Sequence, residues 1–251
     1  MRFVDLSVPI ENTAPDIPEF QRVSVTYSDN ATGGAEIERM FGVPRTLLRD
    51  GEGWATDTFT NLGTHSTTHV DAPRHYNSVI QGRPAQSIDQ LPLEWFFAPG
   101  VVLDFRHKAD ADAVTADEVQ AALREIGHTL KPLDIVLVRT GRDEFYGRPD
   151  YWLRGPGVGA DATRWLYAQG VRVMGIDAWG WDRPLDRQAA EARERGEPGI
   201  FWAAHQVDLP YSQIERLTNL GALPATGFQV ACFPLRLVGG SAAPARVVAI
   251  L

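Results

Sequence analysis

The sequence predicts an α/β protein with one domain and a mixed, partly parallel sheet, and three observations carry that reading. Short Val- and Ile-rich runs alternate with amphipathic stretches along the chain. The order strand, helix, strand over Val101 to Val138, then helix and strand to Ile176, is the pattern of crossover units, which place strands parallel. The 251 residues, 44% hydrophobic and 22% charged, contain no self-similar repeat and no Ser/Gly linker, and can bury one core of ordinary size.

Strands are expected at Phe3 to Val8, Val23 to Tyr27, Gly100 to Phe105, Asp134 to Arg139, Val171 to Ile176, Phe228 to Leu237 and Arg246 to Leu251. Thr115-Ala116-Asp117-Glu118 is a capping-box pattern, and Val119, Ala122 and Leu123 supply the apolar face of the helix that follows. Asp161 to Gln169, closed by Gly170, predicts a second helix, and Leu185 to Arg195 a polar helix or loop excursion. Ser212 to Leu220 predicts a fourth helix. Ser28 to Trp54 has poor periodicity and several glycines and charges, so it is expected to be loop-rich.

Composition excludes several function classes. With 24 Lys+Arg against 32 Asp+Glu the chain has a formal charge of −8, which argues against nucleic acid and anionic membranes as partners. Cys232 is the one cysteine, so an internal disulfide and a thiolate zinc cluster are ruled out, and any transition metal must be held by nitrogen and oxygen. Asp5 interrupts the first apolar run, no secretory signal is legible, and no window approaches a membrane span, so the cytoplasm is the default expectation. No phosphate loop, nucleophile elbow or H-E-x-x-H pair is present. Gly155 to Gly159 is glycine-rich without a leading strand and reads as a turn.

The informative segment is Asn61 to Tyr76, NLGTHSTTHVDAPRHY. Three of the six histidines, His65, His69 and His75, fall here with Asp71 between them. A helix would turn Asp71 away from His65 and His69, and Gly63, Pro73 and the Thr-rich composition oppose one. In an extended segment all four positions share a parity, so their side chains can reach one side. Two imidazoles and a carboxylate converging from one segment are a facial ligand set for a divalent metal with open positions. His75, in a turn after Pro73, would stand beside that metal. The bland alternative is a polar, Thr-rich edge strand. A closed structural zinc site usually leans on cysteine, which this segment lacks.

At these residues the chain resembles the cyclase family of metal-dependent hydrolases, whose motif is H-x-G-T-H-x-D-x-P-x-H. It stands here as His65-Ser66-Thr67-Thr68-His69-Val70-Asp71-Ala72-Pro73-Arg74-His75, with Thr67 in place of the motif glycine. The resemblance continues through Asp134 to Gly141, Gly175 to Ala178, Ile214 to Leu220 and Gly240-Ser241. It implies a swivelling β/β/α fold, with His65, His69 and Asp71 as metal ligands and His75 as general acid/base. In formamidase-type members it also implies a second metal bridged by Asp71 and held by positions matching His205 and Glu215. Ser212-Gln213-Ile214-Glu215 is at the same time a capping-box pattern, so Glu215 is either a ligand or a helix cap. Gln213 would contribute where a second metal is absent.

Asp177 to Asp182 and Phe201 to His205 look most like the isatin-hydrolase branch, which implies manganese, whereas the formamidase branch implies zinc. Oxygen and imidazole donors suit either, as one ion or two. The expected reaction is hydrolysis of a C–N bond in a cyclic or aryl amide, with a water acidified by the ion and His75 as base. Trp54, Phe59, Trp179, Trp181 and Trp202 are candidates for aromatic walls around a flat substrate, each alternatively a core residue, and Ser241 for a hydrogen bond in the site. Aryl-formamide hydrolysis, lactone or polyketide cyclisation, and a non-catalytic metal-binding homologue are the alternatives. The resemblance further implies a small-molecule substrate and a homodimer or homotetramer.

Overall fold

Branched apolar residues in unbroken runs, such as Ile135-Val136-Leu137-Val138, require burial on both faces of a strand, and a central parallel segment provides it. The structure, a computed structural model, describes residues 1–251. Its strands are β1 Phe3–Asp5, β2 Val23–Ser28, β3 Thr56–Leu62, β4 His69–Asp71, β5 Val79–Ile80, β6 Arg83–Pro84, β7 Phe97–Asp104, β8 Ala113–Val114, β9 Ile135–Arg139, β10 Gly157–Val158, β11 Val173–Ile176, β12 Ser212–Glu215, β13 Phe228–Ala231, β14 Ala242–Pro244 and β15 Val248–Ile250. Its helices are α1 Asn30–Phe41, α2 Pro73–Tyr76, α3 Ala116–Glu125, α4 Ala160–Ala168 and α5 Leu185–Arg195. Two compact units form, one of Met1–Pro9 with Thr64–Leu251 and the other of Ile10–Gly63.

The larger unit is built on a nine-stranded sheet of order β1-β15-β13-β7-β9-β11-β12-β4-β14. Strands β7, β9, β11 and β12 are parallel, and the strands flanking them on either side are antiparallel. The predicted α/β class and mixed, partly parallel sheet are what the structure has. Alternate residues of the central strands enter two cores. Val101, Leu103, Val136, Val138, Met174 and Ile176 pack with Val119 and Leu123 of α3 and Ala162 and Leu166 of α4. Val102, Ile135, Leu137 and Val173 face a second core, shared by Ala243 near one end of the sheet and Val230 and Ala249 near the other. One cluster can take residues from both ends because the sheet curls around it.

Helix α3 begins as its sequence requires, with the Thr115–Glu118 capping box formed in both directions. The segment predicted as a fourth helix is instead β12. It lies fully buried between parallel β11 and antiparallel β4, where period-2 alternation sends Gln213 and Glu215 to one face and Ser212 and Ile214 to the other. The chain then leaves through two residues of positive φ, Arg216 (60°) and Asn219 (59°), which no continuing helix tolerates. The predicted strand from Phe228 stops at Ala231, short of Pro234, which can donate no ladder hydrogen bond. Gly157–Val158, read as a turn, is a short strand paired with β8.

The smaller unit pairs β2 with β3 and contains α1, where the sequence predicts loop. Asp29 caps α1 by accepting the Thr32 amide at 2.8 Å, and Gly42 ends it at φ 66°. Gly33, one of the glycines of that segment, is a packing glycine, since a Cβ there would lie 1.7 Å from the Trp54 carbonyl oxygen. Close approach of helix and loop is what decided the conformation.

Candidate metal centre

Strand β4 presents His69 and Asp71 on one face, and the β4–β12 register sets Glu215 opposite His69 and Gln213 opposite Asp71. All four side chains therefore point to the same side of the sheet. The residues on either side of β4 are not extended as the parity reading requires. His65 arrives through a turn-rich loop, and His75 sits on α2, started by Pro73 at its first position. A loop on one side and a helical turn on the other bring both rings over β4.

His65 Nε2 and His69 Nε2 lie 3.2 Å and 3.3 Å from Asp71 Oδ1. Glu215 Oε2 is 3.5 Å from His69 Nε2, and Glu215 Oε1 is 3.6 Å from His205 Nε2. His65, Asp71 and His75 each offer one donor atom within 4.8 Å of the others, and so do His69, Asp71 and Glu215. The His75 ring stands 4.2 Å from His65 and 5.8 Å from His205, centroid to centroid. Four of the six histidines thus meet at one place.

The surrounding hydrogen bonds aim these donors. His69 Nδ1 donates to the Thr67 carbonyl at 2.7 Å, which leaves Nε2 facing the carboxylates. His205 Nδ1 donates to Asp182 Oδ2 at 2.6 Å, and the Asp182 carboxylate also accepts the Ala204 and His205 amides. Trp181 N–H donates to Glu215 Oε1 at 2.8 Å. Such second partners hold ring orientation in metal sites. Against that order, the buried Nε2 atoms of His65 and His69, both Asp71 oxygens and Gln213 Oε1 have no hydrogen-bond partner in the protein. Buried acceptors aimed at one another need a cation between them. The donor set fits a divalent metal ion on this ground.

The charges agree. Burial opposes the charged form of His69, yet Asp71 and Glu215 hold the ring up at about 9. Burial likewise opposes charge on His205, and Asp182 and Glu215 hold it at about 10. Burial and Asp71 push Glu215 up, and the His205 and His69 rings pull it down to about 2. Burial also opposes charge on Asp71, and the histidines around it keep its carboxyl well below the ordinary range. His75 is different, because burial dominates and lowers its pKa, leaving a neutral imidazole at pH 7 that can accept a proton.

The predicted wall residues divide. Trp202 stacks on His205 at 4.6 Å and meets His75 edge to face at 5.1 Å. Trp179 lies under the Arg216 guanidinium, 5.1 Å from ring centroid to Cζ. Trp181 is corrected: its indole is fully buried in the core with its N–H on Thr163 Oγ1, so only its backbone amide serves the centre. Gln213 donates to the Tyr211 hydroxyl, and the Ser241 carbonyl accepts the Ala72 amide at 2.8 Å. Trp54 and Phe59 belong to the unit Ile10–Gly63, where the Trp54 indole donates to Glu36 and Phe59 pairs with Val25. The helix-cap alternative for Glu215 falls with the helix. Sequence reading assigned no role to Asp182 or Arg216. The signals were an acid closing the Trp-Gly-Trp-Asp run and an arginine directly after Glu215.

A family model described as "Putative cyclase" matches residues 4–183. The chain is 29% identical over 196 residues to a kynurenine formamidase of Salinibacter ruber, covering 74% of this chain and 76% of that one. It is 29% identical over 205 residues to an isatin hydrolase of Roseibium aggregatum, covering 76% and 73%. Its fold is similar to that of isatin hydrolase A from Labrenzia aggregata bound to benzyl benzoate, with TM-score 0.74 at 23% identity over 100% of this chain and 93% of that chain.

Proposed function

The chain belongs to the cyclase family, and from that premise we propose that it is a metal-dependent hydrolase opening the C–N bond of a cyclic aromatic amide. The observation that carries the reading is the convergence of unpartnered donors from His65, His69 and Asp71 beside a neutral His75 and the Trp202 ring.

His65, His69 and Asp71 would hold one divalent ion, manganese or zinc, and His205 and Glu215 would help hold it or, with Asp71, hold a second. When bound, such an ion supplies Lewis acidity to water and to the scissile carbonyl. His75 takes the proton of the attacking water and returns it to the departing nitrogen, for which a neutral imidazole in a buried setting is suited. Trp202 offers a rigid aromatic edge next to that base, which favours a flat ring system over a flexible acyl chain. A nitrogen conjugated to an aryl ring leaves more readily than an alkyl amine, so strained or aryl amides are the substrates this arrangement suits.

The test is elemental analysis of the purified protein together with hydrolysis assays on isatin, other cyclic amides, an aryl formamide and lactones. Turnover of a cyclic amide that is lost on chelation and in His65→Ala is the expected result. A metal-replete protein that hydrolyses nothing in that panel overturns the reading. Faster turnover of the formamide or a lactone reassigns the substrate while leaving the centre in place.

A further inference from the structure

Arg216 is 3% exposed, and its guanidinium is held by carbonyl groups in place of a carboxylate. Nη1 donates to the Ser66 carbonyl at 2.6 Å and Nε to the Trp179 carbonyl at 3.4 Å, with the cation over the Trp179 ring. Its backbone repeats both connections. The Arg216 amide donates to the Ala178 carbonyl at 3.0 Å, and its own carbonyl accepts the Thr68 hydroxyl at 2.6 Å. That hydroxyl in turn accepts the Val8 amide at 2.9 Å. The residue sits at φ 60°, a conformation unfavourable for any side chain beyond glycine, and so is kept there by its surroundings.

The connected segments are the ones that carry the centre. Residues Ser66 to Thr68 link His65 to His69. Ala178 and Trp179 lead to Trp181, whose amide holds Glu215, and Glu215 directly precedes Arg216. We propose that Arg216 is a positioning residue that sets the spacing of the His65 loop, the Trp179 turn and strand β12, and through it the affinity for the divalent ion. The inference rests on the metal-centre reading above. Its chemistry needs the planar fork of arginine, because two carbonyls in different directions and an aromatic face are satisfied at once. A lysine ammonium brings the charge without the fork.

The experiment titrates metal-stripped wild type, Arg216→Lys and Arg216→Gln with Mn²⁺ and with Zn²⁺ by calorimetry, alongside thermal unfolding of each. Leu123→Ala, a truncation of a buried side chain on α3, which carries none of the candidate ligands, is the destabilised control. Expected is a 10- to 100-fold rise in Kd for the ion in both Arg216 variants, the size seen when outer partners of metal ligands are removed. The control should unfold earlier and keep the wild-type Kd. Wild-type affinity in Arg216→Lys and Arg216→Gln overturns the inference while leaving the metal centre standing, and so does an equal loss of affinity in Leu123→Ala. Absence of ion binding by the wild type overturns the metal-centre reading itself, and the inference with it.

Discussion

His75 differs from the other histidines of the centre in what surrounds it. His69 and His205 face carboxylates that draw protons to them, whereas His75 is governed by burial and held neutral. Its substitution by glutamine is expected to lower kcat/KM for a cyclic amide by about 10²–10⁴-fold, the contribution of a positioned general base, with ion affinity kept. The acid limb of the pH–rate profile should lie below the ordinary histidine value, because burial shifts His75 downward, and should vanish in His75→Gln. Steady-state kinetics from pH 5 to 8 check both. An unchanged limb in the variant assigns the base to another group. Asp182 works at one remove, fixing the His205 tautomer through a 2.6 Å hydrogen bond. Replacement by asparagine is expected to weaken ion binding about 10- to 100-fold, read by calorimetry.

Strand β12 shows how an element takes its form from its neighbours. Ser-Gln-Ile-Glu carries the letters of a helix start, but pairing with β11 and β4 satisfies its backbone and alternation divides its side chains between centre and core. The short strand β10 matters for the same reason. A Cβ on Gly157 would lie 2.0 Å from Arg183 N and 2.2 Å from the carbonyl carbon of Asp182, so Gly157→Ala pushes on the backbone that positions Asp182. Overpacking against backbone of this kind is expected to cost about 3 kcal/mol, measured by urea unfolding, and to weaken ion binding in the same variant. A loss under 1 kcal/mol would show that the loop yields freely.

Across the whole molecule, pH and metal pull on buried charge. Protons on His69 and His205, with pKa values of about 9 and about 10, compete with the ion for the same donors. Ion affinity is therefore expected to fall from pH 8 to pH 6, with proton release on binding, measured by calorimetry in buffers of different ionisation enthalpy. Chelation should lower Tm, and an ion at one hundred times its Kd should restore about 2.7 kcal/mol. Asp177 provides a separate, opposite-signed signal. Burial raises its carboxyl from 3.8 to about 6, although the Thr140 amide and hydroxyl and the Gly141 amide donate to it. A raised carboxyl favours the fold while protonated. Its stabilisation is full below pH 3.8 and is lost as pH rises through 6, a change of about 3 kcal/mol. The difference in unfolding free energy between wild type and Asp177→Asn should shrink by most of that amount, about 2.4 kcal/mol, from pH 4 to pH 7. A difference independent of pH rejects the assignment.

The legible parts of the sequence were those whose cause is local. The capping box at Thr115, the β-branched runs of the central strands and the spacing of His65, His69, Asp71 and His75 are short-range patterns. They already indicated the fold class and a nitrogen–oxygen centre. Helix α1 was hidden because Ser28 to Trp54 has poor periodicity and several glycines and charges, and the close contact of Gly33 with the Trp54 backbone is visible only in the fold. Trp181 belongs to the core, and only its side-chain packing reveals that.

By itself, then, the sequence determined which atoms can hold charge and metal here: imidazoles and carboxylates in a chain with a single buried cysteine. Tertiary structure alone decided that Glu215 faces His69 across a strand pair, that His205 is aimed by Asp182, and that Arg216 joins the segments around them. These pairings span from 23 to 150 residues of chain, and a local pattern contains no information about a contact that only sheet register and burial create.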